Sequence, residues 1–164
     1  MVTDPIADFL ARISNAHRAD AFVSVHFNAA GPAHVRGIET YVLTPQFQRS
    51  TGSEKLRPLD EVGSPGNRHD AWNSYLGYTM HATLLKELEL PDRGLKRARF
   101  EVLRELSCPG LLVEGGYLSH DEEAKLIATE SYREKLAEAI VHGIAVYDGT
   151  LKRLAANRHA AGGG

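Results

Sequence analysis

Two short apolar runs constrain this chain most. Phe22-Val23-Ser24-Val25 and Leu111-Leu112-Val113 carry no helical period, and each stops on an ionisable side chain, His26 and Glu114. Runs of that length and character read as buried strands. Segments of helical spacing surround them. Ile6, Phe9, Leu10, Ile13 and His17 recur behind Asp4 as an N-cap and Pro5 at the first helical position, so residues 5–18 read as a helix. Trp72, Tyr75, Leu76, Thr79, Met80, Thr83, Leu84 and Leu88 form a second stripe over residues 69–89, which Pro91-Asp92-Arg93-Gly94 ends. Residues 37–43 and 95–102 read as further strands. Ser119 with Glu122 and Ser131 with Glu134 match the capping box S-x-x-E and open helices over 120–128 and 131–147, with Tyr132, Leu136, Ile140, Ile144 and Tyr147 on the core side of the second. Strands interleaved with helices predict an α/β fold, a three-layer sandwich whose central, mostly parallel sheet is flanked by helices.

Composition narrows the function classes. The 164 residues, 43% of them hydrophobic, suffice for one domain with a sizeable core. No run approaches the roughly 18 apolar residues of a membrane-spanning helix, so no transmembrane segment is expected. A net charge of −2 from 19 basic and 21 acidic side chains supplies no basic field, and nucleic acid is not an expected partner. The single cysteine, Cys108, cannot form an internal disulfide or a cysteine-rich metal site, and reads as a small buried apolar side chain ahead of Pro109. The first residues lack the basic start and apolar core of a secretory signal. Residues 1–148 read as the folded domain, and the Ala/Gly-rich tail, 149–164, is expected to be disordered. Residues 44–68, rich in proline and glycine, read as a long loop, either the rim of a site or a plain solvent-exposed connection.

Chemistry is expected where strands end, because ligands of open α/β sheets gather at the carboxyl ends of the strands. Glu114 is the sharper of the two candidates: a carboxylate closing an apolar strand is costly to bury unless it is paired, metal-bound or shifted in pKa. Gly115-Gly116 behind it suggests a close backbone approach or an unusual turn. His26 by itself leaves two readings open, a hydrogen-bonded structural histidine or a ligand. The other histidines show no H-x-x-x-H or H-E-x-x-H spacing. Asn28 is placed to orient His26 or a substrate amide, or only to satisfy local backbone groups.

Five stretches then carry a resemblance. Residues 19–29 (Ala-Asp-Ala-Phe-Val-Ser-Val-His-Phe-Asn-Ala), Gly37-Ile38-Glu39-Thr40-Tyr41, Arg93-Gly94-Leu95-Lys96, Phe100-Glu101-Val102-Leu103-Arg104 and residues 112–119 (Leu-Val-Glu-Gly-Gly-Tyr-Leu-Ser) follow one another in the order seen in a known family. The chain thereby resembles the zinc-dependent N-acetylmuramoyl-L-alanine amidases of the Amidase_3 type from about residue 4 to residue 147. The resemblance implies cleavage of the bond between the lactyl group of N-acetylmuramic acid and L-alanine in peptidoglycan, with Zn2+ as cofactor. It aligns His26 with the family's last zinc-ligand histidine and Glu114 with its catalytic glutamate. A peptidoglycan substrate in turn implies a periplasmic or extracellular place of action. The family's earlier strand, with an Asp-Pro-Gly-His-Gly-Gly-like motif and a following glutamate ligand, has no counterpart here. A strand–helix unit of about thirty residues is therefore expected to be missing, and Met1 to be an internal start. Two other functions stay open: a catalytically inactive relative that binds muropeptides, and a cell-wall metallocarboxypeptidase. Oligomeric state is not encoded legibly, although an unpaired sheet edge would favour association.

Overall fold

A computed structural model describes residues 4–161. Its four strands, β1 (Phe22–Asn28), β2 (Ile38–Leu43), β3 (Asp92–Ala98) and β4 (Gly110–Tyr117), form one sheet in the order β1-β4-β2-β3. β4 has both neighbours because Gly110 to Val113 are buried, as a doubly covered strand must be. β1 pairs with β4, and β2 with β3, in parallel, while β2 and β4 run antiparallel. The expected mostly parallel α/β sheet is thus present, with one antiparallel pairing at its centre. That pairing brings the start of β2 to the same end of the sheet as the close of β4.

Period-two alternation sorts the strands into two faces. Leu111 and Val113 of β4 and Val42 of β2 pack with Leu76, Met80 and Leu84 of α2 (Asp70–Leu88) and with Leu136, Ala139 and Tyr147 of α5 (Glu130–Ala161). This is the main core. Thr40, also on that face, bonds His81 Nδ1, and His81 Nε2 lies 3.0 Å from Asp92, so a polar chain running from the buried Thr40 and His81 out to the exposed Asp92 ties α2 to both β2 and β3. Across the sheet, α1 (Pro5–Ala16) and the short α3 (Glu101–Arg104) enclose a smaller cluster of Ala11, Leu43, Val102, Leu103 and Leu106. Cys108 is buried there, its Sγ 3.6 Å from Ser14 Oγ. No helix among the described residues is long and apolar enough to cross a membrane.

Several local expectations give way to tertiary structure. α1 forms as read, with Asp4 Oδ1 accepting from Ile6 N, but it packs through the small residues Ala11 and Ser14 while Ile6, Phe9, Leu10 and Ile13 stay exposed. Residues 99–102 do not extend β3. Arg99 is buried in an ion pair with Asp60 and donates to the carbonyls of Pro45, Asp60 and Val62, and this turns the chain and pins the segment after β2. Neither capping box forms as spaced. Ser119 Oγ accepts from Ala30 N, so His120 caps α4 (Asp121–Ala128) through Nδ1, and Thr129 Oγ1, not Ser131, accepts from Tyr132 N at the start of α5. Residues 149–161, expected to be disordered, continue α5: Tyr75 Oη donates to Thr150 Oγ1, and Leu151 packs on the core. The terminal glycines, 162–164, and residues 1–3 lie outside the described residues.

Candidate active site

β1 and β4 are parallel neighbours, and their register sets Ser24 opposite Leu112 and His26 opposite Glu114. Residues paired in this way project to the same face. The two ionisable side chains singled out in the sequence therefore stand side by side, and both line a cavity of about 470 Å³ closed by Leu10 of α1, Phe100 and Val102. His26 is exposed, with Nε2 2.9 Å from Ser24 Oγ. Glu114 is half-buried, and its Oε2 has no hydrogen-bond partner among the described residues. Burial, and after it the negative charge of Glu39, raises the Glu114 pKa to about 7.

Glu39 faces Glu114 directly across the β2–β4 pairing, yet its environment is the opposite one. It is 1% exposed. Its Oε1 accepts from Arg93 Nε, Lys96 Nζ and Tyr117 Oη, and its Oε2 from Tyr41 Oη at 2.7 Å and Asn28 Nδ2 at 3.3 Å. Burial alone would raise its pKa, but the donors Lys96, Tyr117, Tyr41 and Arg93 together outweigh it and bring the carboxyl down to about 2. Tyr117 is pushed up to about 12 by burial and by Glu39, so it remains a donor. One carboxylate is saturated and ionised; its neighbour is unpartnered and poised near neutrality. Environments that drive two acids apart in this way separate a fixed charge from a proton carrier.

Two irregularities assemble this cluster. Between the pairs His26–Glu114 and Asn28–Tyr117, β4 carries one more residue than β1, and between Ile38–Asp92 and Thr40–Leu95, β3 carries one more than β2. Each extra residue coincides with a glycine in the positive-φ region, Gly116 at +128° and Gly94 at +96°. A bulge flips the side-chain alternation beyond it. Tyr117 and Arg93, which strict alternation would aim at α2 and α5, turn instead onto Glu39. Gly116→Ala is expected to cost about 2 kcal/mol of unfolding free energy in urea titrations, because a side chain at that φ is strained and its Cβ would sit 3.2 Å from Ile127 Cδ1.

The structure corrects the sequence reading in three places. Asn28 does not orient His26: its Nδ2 reaches Glu39, while its Oδ1 satisfies the local backbone, as the second reading has it, by accepting from Ala29 N. Residues 44–68 leave β2 at the end of the sheet remote from Glu39, and none of them lines the cavity that holds His26 and Glu114. The sequence reading assigns no role to Glu39, Tyr41, Arg93, Lys96 and Tyr117, although Glu39 carries the same signal as Glu114, a carboxylate within an apolar strand. As to metals, a catalytic zinc takes three protein ligands. Among the described residues no three His, Cys, Asp or Glu side chains converge in a metal-holding group, so the donor set does not fit a complete zinc centre.

Comparison with known proteins gives a consistent result. The family model described as N-acetylmuramoyl-L-alanine amidase matches residues 6–146. The N-acetylmuramoyl-L-alanine amidase AmiC of Neisseria meningitidis serogroup B is 34% identical over 161 residues, covering 84% of this chain and 38% of that protein. The endolysin of Bacillus phage SPP1 is 33% identical over 135 residues, covering 82% of this chain and 42% of its own. The crystal structure of an N-acetylmuramoyl-L-alanine amidase from Clostridium difficile 630 superposes with a TM-score of 0.68 at 29% identity, over 86% of this chain and 64% of that one. The chain spans about half the length, or less, of the curated relatives it matches.

Proposed function

This chain belongs to the N-acetylmuramoyl-L-alanine amidase family, and from that premise we propose that it acts on peptidoglycan, hydrolysing the amide between the lactyl group of N-acetylmuramic acid and L-alanine, with Glu114 as the proton carrier. One observation carries the assignment: the unpartnered Glu114 carboxylate lies in register with His26 in a shared cavity. Water adds to the lactyl carbonyl carbon as Glu114 takes its proton. The carboxyl then hands that proton to the amide nitrogen as the C–N bond breaks, and the acid left on the lactyl carbon gives its remaining proton to the freed L-alanine amine, so that a lactyl carboxylate and an L-alanine ammonium result. A pKa of about 7 keeps both forms of Glu114 populated at neutral pH, which suits a group that must accept a proton and then return it. Glu39, already saturated, holds its charge through the cycle. Because peptidoglycan lies outside the cytoplasmic membrane, the proposed place of action is periplasmic or extracellular.

His26 is proposed as a zinc ligand, and as the one imidazole of the cavity it binds the metal weakly when alone. After equilibrium dialysis against micromolar zinc, the chain is expected to hold well below one zinc per molecule, and His26→Ala less still, as read by elemental analysis. Stoichiometric zinc would show that other side chains complete the centre.

The assignment is tested with a purified muropeptide and added zinc. Mass spectrometry and amine labelling should show the intact stem peptide with a new L-alanine amine; release of a C-terminal amino acid would identify a carboxypeptidase instead. The incomplete donor set favours a second reading, a muropeptide-binding relative without turnover. That reading expects saturable binding and no product.

A further inference from the structure

The guanidinium of Arg93 is anchored by one edge only. Its Nε donates to Glu39 Oε1 at 2.8 Å and to Tyr117 Oη at 3.1 Å, and its carbon sits 5.4 Å above the Tyr117 ring. Those contacts fix the plane of the group. Its two terminal NH2 groups have no hydrogen-bond acceptor among the described residues, and the side chain is 35% exposed. Glu39 can give nothing more, since five donors already share its two oxygens. Two cations, Arg93 and Lys96, therefore share one fixed anion on this side of the sheet. Lys96 donates to Glu39 and lies over the Tyr41 ring as a compact point charge, whereas Arg93 presents a planar fork of free NH2 groups. Glu39 is the residue opposite Glu114, so this fork stands one side chain from the proposed proton carrier.

A planar, pre-oriented pair of N–H donors suits a planar anion with two oxygens, the bidentate arrangement of guanidinium with carboxylate. We propose that Arg93 is a binding and specificity residue that receives a carboxylate of the peptide stem, and so selects muropeptides whose stem carries a free acid over those whose acids are amidated. This rests on the muropeptide reading above. The anchoring of Nε means that little rotamer freedom is lost when the ligand arrives.

The test is calorimetric titration of the full chain at pH 7.5 with N-acetylmuramoyl-L-alanyl-D-glutamic acid and with the diamide of the same compound. The acid is expected to bind about tenfold more tightly, the size of one charge-assisted pair. In Arg93→Gln the preference should fall to within about twofold, and added salt should narrow it in the wild type. Arg93→Lys keeps a charge without the fork, so its preference should be intermediate; it also serves if the Gln variant does not fold. Lys96→Gln removes the other cation on Glu39 and should leave the preference in place. Equal binding of acid and diamide by the wild type overturns the proposal and leaves the muropeptide reading standing. An acid preference that survives Arg93→Gln overturns it as well, and binding of neither compound removes both.

Discussion

Glu114→Gln is expected to slow muropeptide hydrolysis by about 10²–10⁴-fold while making the protein more stable at pH 8. The first effect follows from removing the only unpartnered carboxylate oxygen among the described buried side-chain atoms of the cavity. The second follows from linkage. A carboxyl whose pKa is raised by folding, here from 4.5 to about 7, keeps its proton in the native state at pH values where the unfolded chain has lost it. Stability then declines as pH rises from about 4.5 to about 7, and above that range the ionised group costs the native state about 3 kcal/mol. Gln cannot ionise and never incurs that cost, although its amide needs partners that the cavity does not supply. The net gain at pH 8 should be about 2 kcal/mol, or about 5 °C in unfolding temperature, and at pH 4, where only the amide cost remains, it should turn into a loss of about 1 kcal/mol. Calorimetric melts at the two pH values, run beside a product assay, read both effects. Undiminished turnover in the variant would remove Glu114 from the mechanism.

The largest loss of stability is expected from Glu39→Gln. Glu39 is buried beneath Arg93 and Lys96, and an uncharged amide leaves both cations without their anion. Removing one partner of a buried ion pair costs about 3–5 kcal/mol, and the partial exposure of the two cations places the expected loss near 3 kcal/mol. Here the pH dependence has the opposite sign. A carboxyl lowered by folding, from 4.5 to about 2, contributes stability that is complete above about pH 4.5 and is lost as pH falls towards 2. The difference between wild type and variant in urea unfolding should therefore be full at pH 7 and shrink in acid. The same substitution should lower the Glu114 pKa only in part, since burial is its larger cause and the Glu39 charge the smaller. Carbon-13 NMR of labelled glutamate carboxyls measures that shift directly. If Glu39→Gln unfolded no more easily than the wild type at pH 7, the cluster would have to be a surface arrangement without structural weight.

The amino-acid order by itself determined the α/β class, the existence of the four strands, the helical stretches that became α1, α2 and the start of α5, and the two ionisable side chains, His26 and Glu114, that follow the apolar runs of β1 and β4. These are local properties: an apolar run, a period, a proline after a capping aspartate, an ionisable residue behind an apolar run; that β1 and β4 continue past it, to Asn28 and Tyr117, is not among them. Only the tertiary structure decided what those features face. The antiparallel meeting of β2 with β4 put Glu39 opposite Glu114, and two single-residue bulges at positive-φ glycines turned Tyr117 and Arg93 onto it. The same level of structure left the apolar stripe of α1 exposed, because the helix packs through Ala11 and Ser14, and carried α5 past residue 148, where Tyr75 bonds Thr150 and Leu151 meets the core. A register, a bulge or a packing partner depends on segments far apart in the chain, and alternation read along one strand cannot report which neighbour it will meet or where one extra residue reverses its faces.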